Sequence, residues 1–221
     1  MREDETQFKP RVLVEKDGRP DEWWMFEGRV FVKNRNVGLD TPEAGRELSD
    51  VSARIAHMDQ LGVDHHVLYP SIFLRPLTRK HNAEIALCRS YNRWLGDLWA
   101  KAPDRLGWVT VLPLMSMETA LEELHWSHNH GARGVFMRSN VGDMRLSDPY
   151  LFPLYQEAGK LDMPITVHSS QGNFGMWDLF QNDGFGQFKL TVVAAFHELL
   201  MSRTPERFPD LRWAFVEVTS E

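Results

Sequence analysis

The chain of 221 residues contains one cysteine, Cys88, so no internal disulfide can form, which suits a reducing compartment. Its longest apolar runs, such as Val109–Leu114 and Val192–Phe196, are strand-sized. None approaches the roughly 20 residues that cross a bilayer. The opening MREDETQF is charged where a secretory leader is apolar, and no Asn-x-Ser/Thr sequon occurs, so a cytoplasmic location is the expectation. Basic charge is in deficit, with Lys+Arg 25 against Asp+Glu 31 and a net charge of −6. That offers no basic surface for phosphates, so neither nucleic acid nor a membrane is an expected partner. Also absent are a G-x-S-x-G elbow, a P-loop and an HExxH pair, which removes the usual sequence support for a serine hydrolase, an NTPase or a zincin. Apolar material is plentiful: 43% of residues are hydrophobic, with Trp 8 and Phe 13, enough for the core of one globular domain and too much for a disordered or fibrous chain.

Along the chain, residues 1–45 carry Pro10, Gly18, Pro20, Gly28, Gly38 and Pro42 between short β-like runs at 11–15 and 23–32. This predicts an irregular arm with a hairpin, belonging to the same domain as the rest. From about Thr41 the texture changes. Leu48, Val51, Ile55, Met58 and Leu61 recur at helical spacing and Gly62 stands where a C-cap belongs, predicting one amphipathic helix. The strand HHVLYPS follows. Helical stretches at about 81–102, 117–131, 150–161 and 188–203 then alternate with strands at 108–114, 133–139, 163–170 and 211–220. Near-continuous apolar strands alternating with helices indicate an α/β class with a parallel sheet buried on both faces. A doubly wound nucleotide-binding sheet lacks its glycine-rich turn here. A (β/α)8 barrel takes about 250 residues, so with five strand–helix units 46–221 is expected to be an incomplete barrel.

In either parallel architecture ligands bind at the C-terminal ends of the strands. That sorts the histidines. His65 and His66 open a strand and are expected at the stabilising end. His125, His128 and His130 close an exterior helix before Gly131, where they suit the carbonyl end of the dipole better than a metal. His57 sits beside core positions of the first helix and is expected to be structural. His168 ends PITVH and is followed by Ser169, Ser170, Gln171 and Gly172, a setting for a metal ligand or proton shuttle. Glu217, in WAFVEV, reads as a carboxylate inside an apolar strand, which must be paired, metal-bound or protonated. Arg138 leaves the strand GVFMR well placed to bind a substrate carboxylate, with a salt bridge to Glu217 as the alternative. Tyr69, Ser71 and Asn140 share that end as hydrogen-bonding candidates, and His197, in the last helix, is a further catalytic candidate.

RIAHMDQLGVDHHVLYPS, CRSYNRWLGDLWAKAPDRLGWVTVLPL, GARGVFMRSN, DPYLFPLYQEAGKLDMPITVHSS and RFPDLRWAFVEVTSE, in that order, resemble the amidohydrolase-related family that includes aminocarboxymuconate-semialdehyde and resorcylate-type decarboxylases. The resemblance runs from about Leu48 to the last residue. It implies a (β/α)8 barrel of which strands two to six are visible, and truncation at both ends. It implies one divalent metal, zinc first with manganese or magnesium as alternatives, and no organic cofactor. It further implies decarboxylation or hydrolysis of a small carboxylated substrate, aromatic in some members. His168 matches the family's ligand on the fifth strand. Glu217 stands where many members carry a catalytic histidine. The family's first-strand ligand pair and eighth-strand Asp have no counterpart here. A homo-oligomer is expected, since an open barrel exposes strand edges. The competing reading is a non-catalytic binding or assembly module.

Overall fold

The computed structural model describes residues 1–14, 22–33, 41–181 and 183–218. Its first unit is an antiparallel sheet of β1 (Arg11–Val14), β2 (Glu22–Phe26) and β3 (Arg29–Lys33) in the order β1-β2-β3. The expected hairpin is β2–β3. Its two-residue turn, Glu27 and Gly28, has φ of 48° and 77°, the left-handed pair that matches the twist of the flanking strands. The expected β-like run at 11–15 forms β1 and adds a third strand, with Arg11 opposite Met25 and Leu13 opposite Trp23, while the run expected at 23–32 is itself divided into the two strands of the hairpin.

Five parallel strands follow, β4 (His66–Leu68), β5 (Leu106–Thr110), β6 (Ala132–Met137), β7 (Ile165–His168) and β8 (Trp213–Val216), neighbouring one another in sequence order. Each crossover carries helix, so the sheet is a half-barrel of consecutive right-handed units. α1 (Glu43–Arg46) and α2 (Val51–Gln60) precede β4, and α3 (His81–Trp99), α4 (Met117–Asn129) and α5 (Phe152–Lys160) fill the next three crossovers. α6 (Phe174–Leu179), α7 (Thr191–Met201) and α8 (Thr204–Arg207) lie between β7 and β8.

Two expectations about helices are corrected. The single helix over 41–62 is broken at Leu48, whose φ of 55° is left-handed. Asp50 then starts α2 afresh, its carboxylate accepting from the Ser52 and Ala53 amides, so a strong N-cap overrides continuous apolar spacing. The last helix opens with a wide-turn π segment at Phe185–Leu190 before α7.

Alternation along the strands divides the interior. Trp108, Val135, Met137, Ile165 and Val167 face the helices and pack with Leu124, Leu154 and Tyr155. From the opposite face Val109, Val111 and Phe136 meet Phe26 and Phe31 of the hairpin and Phe73, Leu77 and Leu87. The arm therefore caps the face on which the strand ends deliver their polar groups. No helix among the described residues is long and apolar enough to cross a membrane.

Candidate functional site

Parallel register fixes the relation between the two main candidates. Val135 lies opposite Ile165 and Met137 opposite Val167, so Arg138 and His168 come next and leave the sheet level with each other. His168 is in turn opposite Val216, which sets Glu217 beside it on the following strand.

His168 is buried at 5% exposure, between the rings of Tyr69 and Phe136 with centroids 5.7 and 6.1 Å away. Its Nε2 is 3.7 Å from Glu217 Oε2, and the Ser169 hydroxyl donates to the same oxygen at 3.3 Å. Burial holds the imidazole below the ordinary histidine range, against the opposing pull of Glu217 and the Ser169 carbonyl. A depressed histidine binds protons more readily unfolded than folded, so its contribution to stability is complete above 6.5, its ordinary value, and is lost as pH falls through it. His168→Gln is expected to flatten the dependence of the unfolding midpoint on pH across that window; an unchanged slope contradicts the assignment.

Glu217 corrects the sequence reading. It is not inside the strand: β8 ends at Val216, and Glu217 has a φ of 60° and a side chain 58% exposed. The turn, not the strand, directs it to His168. Its backbone carbonyl accepts from Lys189 Nζ, on the π segment. A cavity of about 210 Å³ opens here, lined by Trp24, Ser71, Arg75, Ser169, Lys189 and Glu217 among others. Ser71 thus joins the His168 side of the site, as does the Tyr69 ring.

Arg138 opens on a different space. A cavity of about 600 Å³ is walled by Phe73, Leu77, Leu87, Val111 and Phe136, with Arg138, Glu84, Arg79 and Asp143 as its charged members. Arg138 Nη1 donates to the Phe73 carbonyl at 3.1 Å, whereas its Nε is buried without a partner. The alternative salt bridge to Glu217 does not form; desolvation lowers the pKa of the guanidinium, and Glu84 is the larger of the influences that oppose it. Behind it, a Cβ at Gly172 would lie 2.4 Å from the Asn140 carbonyl and 3.1 Å from Arg138 Nε, so only glycine lets the loop after β7 close on Arg138. The backbone segment 71–75 stands between the two cavities, contributing Phe73 to one and Ser71, Leu74 and Arg75 to the other.

Asn140 is spent on the scaffold. Its Oδ1 accepts from the Gly172 amide at 2.9 Å and its Nδ2 donates to the Gly142 carbonyl at 2.8 Å. His197 lies exposed in the middle of α7, six residues beyond Thr191, whose hydroxyl reaches the Ser170 carbonyl at 3.5 Å. At 1.5 Å per residue that is roughly 9 Å along the axis. His125 pairs with Glu157 at 3.2 Å, and His130 stacks on Trp126 with centroids 3.8 Å apart, as suits a helix end.

For a divalent metal, His168 and Glu217 offer two donors. Zinc sites use three or four protein ligands, and no group of three metal-binding side chains occurs among the described residues. The pair therefore does not make a complete metal site. Sequence reasoning missed Glu84 and Lys189. The first reads as an acid favoured in the first turn of α3 and the second as a surface lysine, and only the fold aims them at the cavities.

Comparison with known proteins gives a family. The 2-amino-3-carboxymuconate-6-semialdehyde decarboxylase of Dictyostelium discoideum is 23% identical over 175 residues, 75% of this chain and 47% of that protein. The chain thus spans about half the length of that relative. An amidohydrolase from Mycobacterium avium subsp. paratuberculosis superimposes with a TM-score of 0.72 at 17% identity, covering 99% of this chain and 67% of that one. The 5-carboxyvanillate decarboxylase of Novosphingobium aromaticivorans, solved with bound manganese, has a TM-score of 0.66 at 22% identity, covering 80% of this chain and 54% of that one. These two likenesses show the fold. The amidohydrolase family model matches residues 19–218, taking in the hairpin, all five parallel strands and both cavities, and on that match the chain belongs to the amidohydrolase family.

Proposed function

We propose that the chain carries the substrate-carboxylate side of a decarboxylase active site acting on small aromatic acids. The observation behind this reading is Arg138: a cation at a barrel strand end, its Nε buried without a partner, opening on an apolar cavity of about 600 Å³. Folding gains little from such a group, whereas a carboxylate in the cavity would pair with its charge. The relatives add support, since two of them are decarboxylases by name, one of a carboxylated aromatic acid.

In this reading Arg138 fixes the carboxylate while Phe73, Phe136, Leu77 and Val111 exclude water from the ring. His168, level with Arg138 on the next strand, is proposed as the metal-ligating histidine, with the Glu217 carboxylate beside its Nε2. A divalent metal, manganese or zinc, belongs to the proposal through the manganese-bearing relative. His168 and Glu217 are the donors this chain would offer, and no step is assigned to the ion. A cytoplasmic location and self-association complete the reading.

The test is release of carbon dioxide from hydroxylated aromatic carboxylates by the protein supplied with manganese or zinc, beside Arg138→Gln and His168→Ala. Both variants are expected to lose the release. Unaltered release in either contradicts its assignment.

A further inference from the structure

The cavity holding Arg138 contains an acid that the reading above does not use. Glu84, in the first turn of α3, lines the same wall as Arg138, and its Oε2 accepts from the Met115 amide at 2.8 Å. Its other oxygen accepts nothing of that kind. Glu84 and Arg138 influence each other electrostatically yet do not close into an ion pair within 4 Å, so the space between them stays open to a ligand.

With both groups ionised this pole of the cavity is neutral, and a carboxylate seated on Arg138 makes it negative. Beside the desolvated guanidinium that excess is most simply removed by a proton. We propose that Glu84 is a proton-accepting gate beside Arg138: when a small carboxylic acid binds the guanidinium, Glu84 takes one proton from solvent and receives the acid's second oxygen as a hydrogen-bond donor. The inference rests on the reading of Arg138 as the carboxylate site.

The surroundings support it. Burial raises the Glu84 carboxyl above the ordinary carboxylate range, outweighing the Met115 amide, Arg138 and His81, which favour the anion. The charged and titratable groups that face Glu84 are Arg138 from the end of β6, His81 and Cys88 from its own helix, and Arg79 and Asp143 from the loops that finish the wall. Burial pushes the Cys88 thiol well up, so it stays neutral and adds no charge. Asp143 is occupied with Asn173 Nδ2, and Arg79 lies over the Phe174 ring, 4.2 Å from its centroid. Glu84 is the acid of this wall left to answer an incoming charge.

The experiment is calorimetric titration with benzoate, and with benzamide as the uncharged control, in two buffers of different ionisation heat. It is run between about pH 5 and pH 8 on the wild-type chain, Glu84→Gln and Arg138→Gln. The wild type is expected to bind benzoate with uptake of up to one proton, its affinity falling by as much as about tenfold per pH unit as pH rises. Glu84→Gln keeps an acceptor for the Met115 amide and is expected to bind benzoate without proton uptake and with a flat profile. Benzamide is expected to show neither uptake nor pH dependence in the wild type. Benzoate binding without uptake in the wild type, or uptake that persists in Glu84→Gln, overturns the role of Glu84 and leaves that of Arg138 standing. Failure of the wild type to bind benzoate, or equal binding by Arg138→Gln, overturns both. Absence of wild-type uptake overturns the role of Glu84 even if a variant does not fold.

Discussion

Arg138→Met is expected to weaken binding of an aromatic carboxylate by about ten- to a hundredfold, the loss of charge-assisted hydrogen bonding worth roughly 1.5–3 kcal/mol. The same substitution is expected to leave the unfolding free energy within about 1 kcal/mol of wild type, or to raise it by about 0.5–2 kcal/mol. The two halves of this prediction come from one geometry. The guanidinium is desolvated, its Nε has no partner, and its one hydrogen bond among the described residues is to the Phe73 carbonyl. Methionine has a similar reach and suits the apolar wall of Leu77, Leu87 and Phe136. A residue retained for packing would show the opposite pattern, a large loss of stability with binding intact. Titration and denaturant unfolding of the same pair of proteins separate the cases.

Trp108→Ala is expected to cost about 3–5 kcal/mol, the range for deleting a large buried aromatic side chain. For a chain of this size that lowers the unfolding midpoint by roughly 10 °C. Trp108 sits on β5 with 0% exposure, between the sheet and α4, and its Nε1 donates to the His130 carbonyl at 3.0 Å. Its ring also meets Trp126, with centroids 6.5 Å apart. The substitution opens a cavity and leaves a helix-end carbonyl without its donor. Trp108→Phe keeps most of the volume and is expected to lose about 1 kcal/mol for the hydrogen bond and a little packing. Equal midpoints for the alanine variant and wild type would mean that the sheet–helix interface is not the principal core.

The parallel sheet was legible because its strands are apolar on both faces: ITVH is buried throughout, as is LGWVT, and helical spacing separates each from the next. Boundaries failed where a local group outweighed periodicity, as Asp50 does in splitting the first helix and the turn at Glu217 does in cutting the last strand short. The site was half legible. Arg138 and His168 are polar residues that end apolar runs, and the register brings them level. Asn140 looked equally well placed, yet its amide ties the backbone of one loop to another, which no local pattern announces. Glu84 could not be read at all, because an acid in the first turn of a helix needs no explanation beyond the helix dipole. Nor does sequence indicate that segment 71–75 separates the His168 and Arg138 cavities, since that depends on how a loop crosses the strand ends.

The direct measurement is a crystal structure of the protein with an aromatic carboxylate such as 2,6-dihydroxybenzoate. The carboxylate is expected on the Arg138 guanidinium within reach of Glu84, with the ring between Phe73 and Phe136. A ligand seated instead against Lys189, Ser71 and Ser169, with Arg138 left bare, would contradict that assignment.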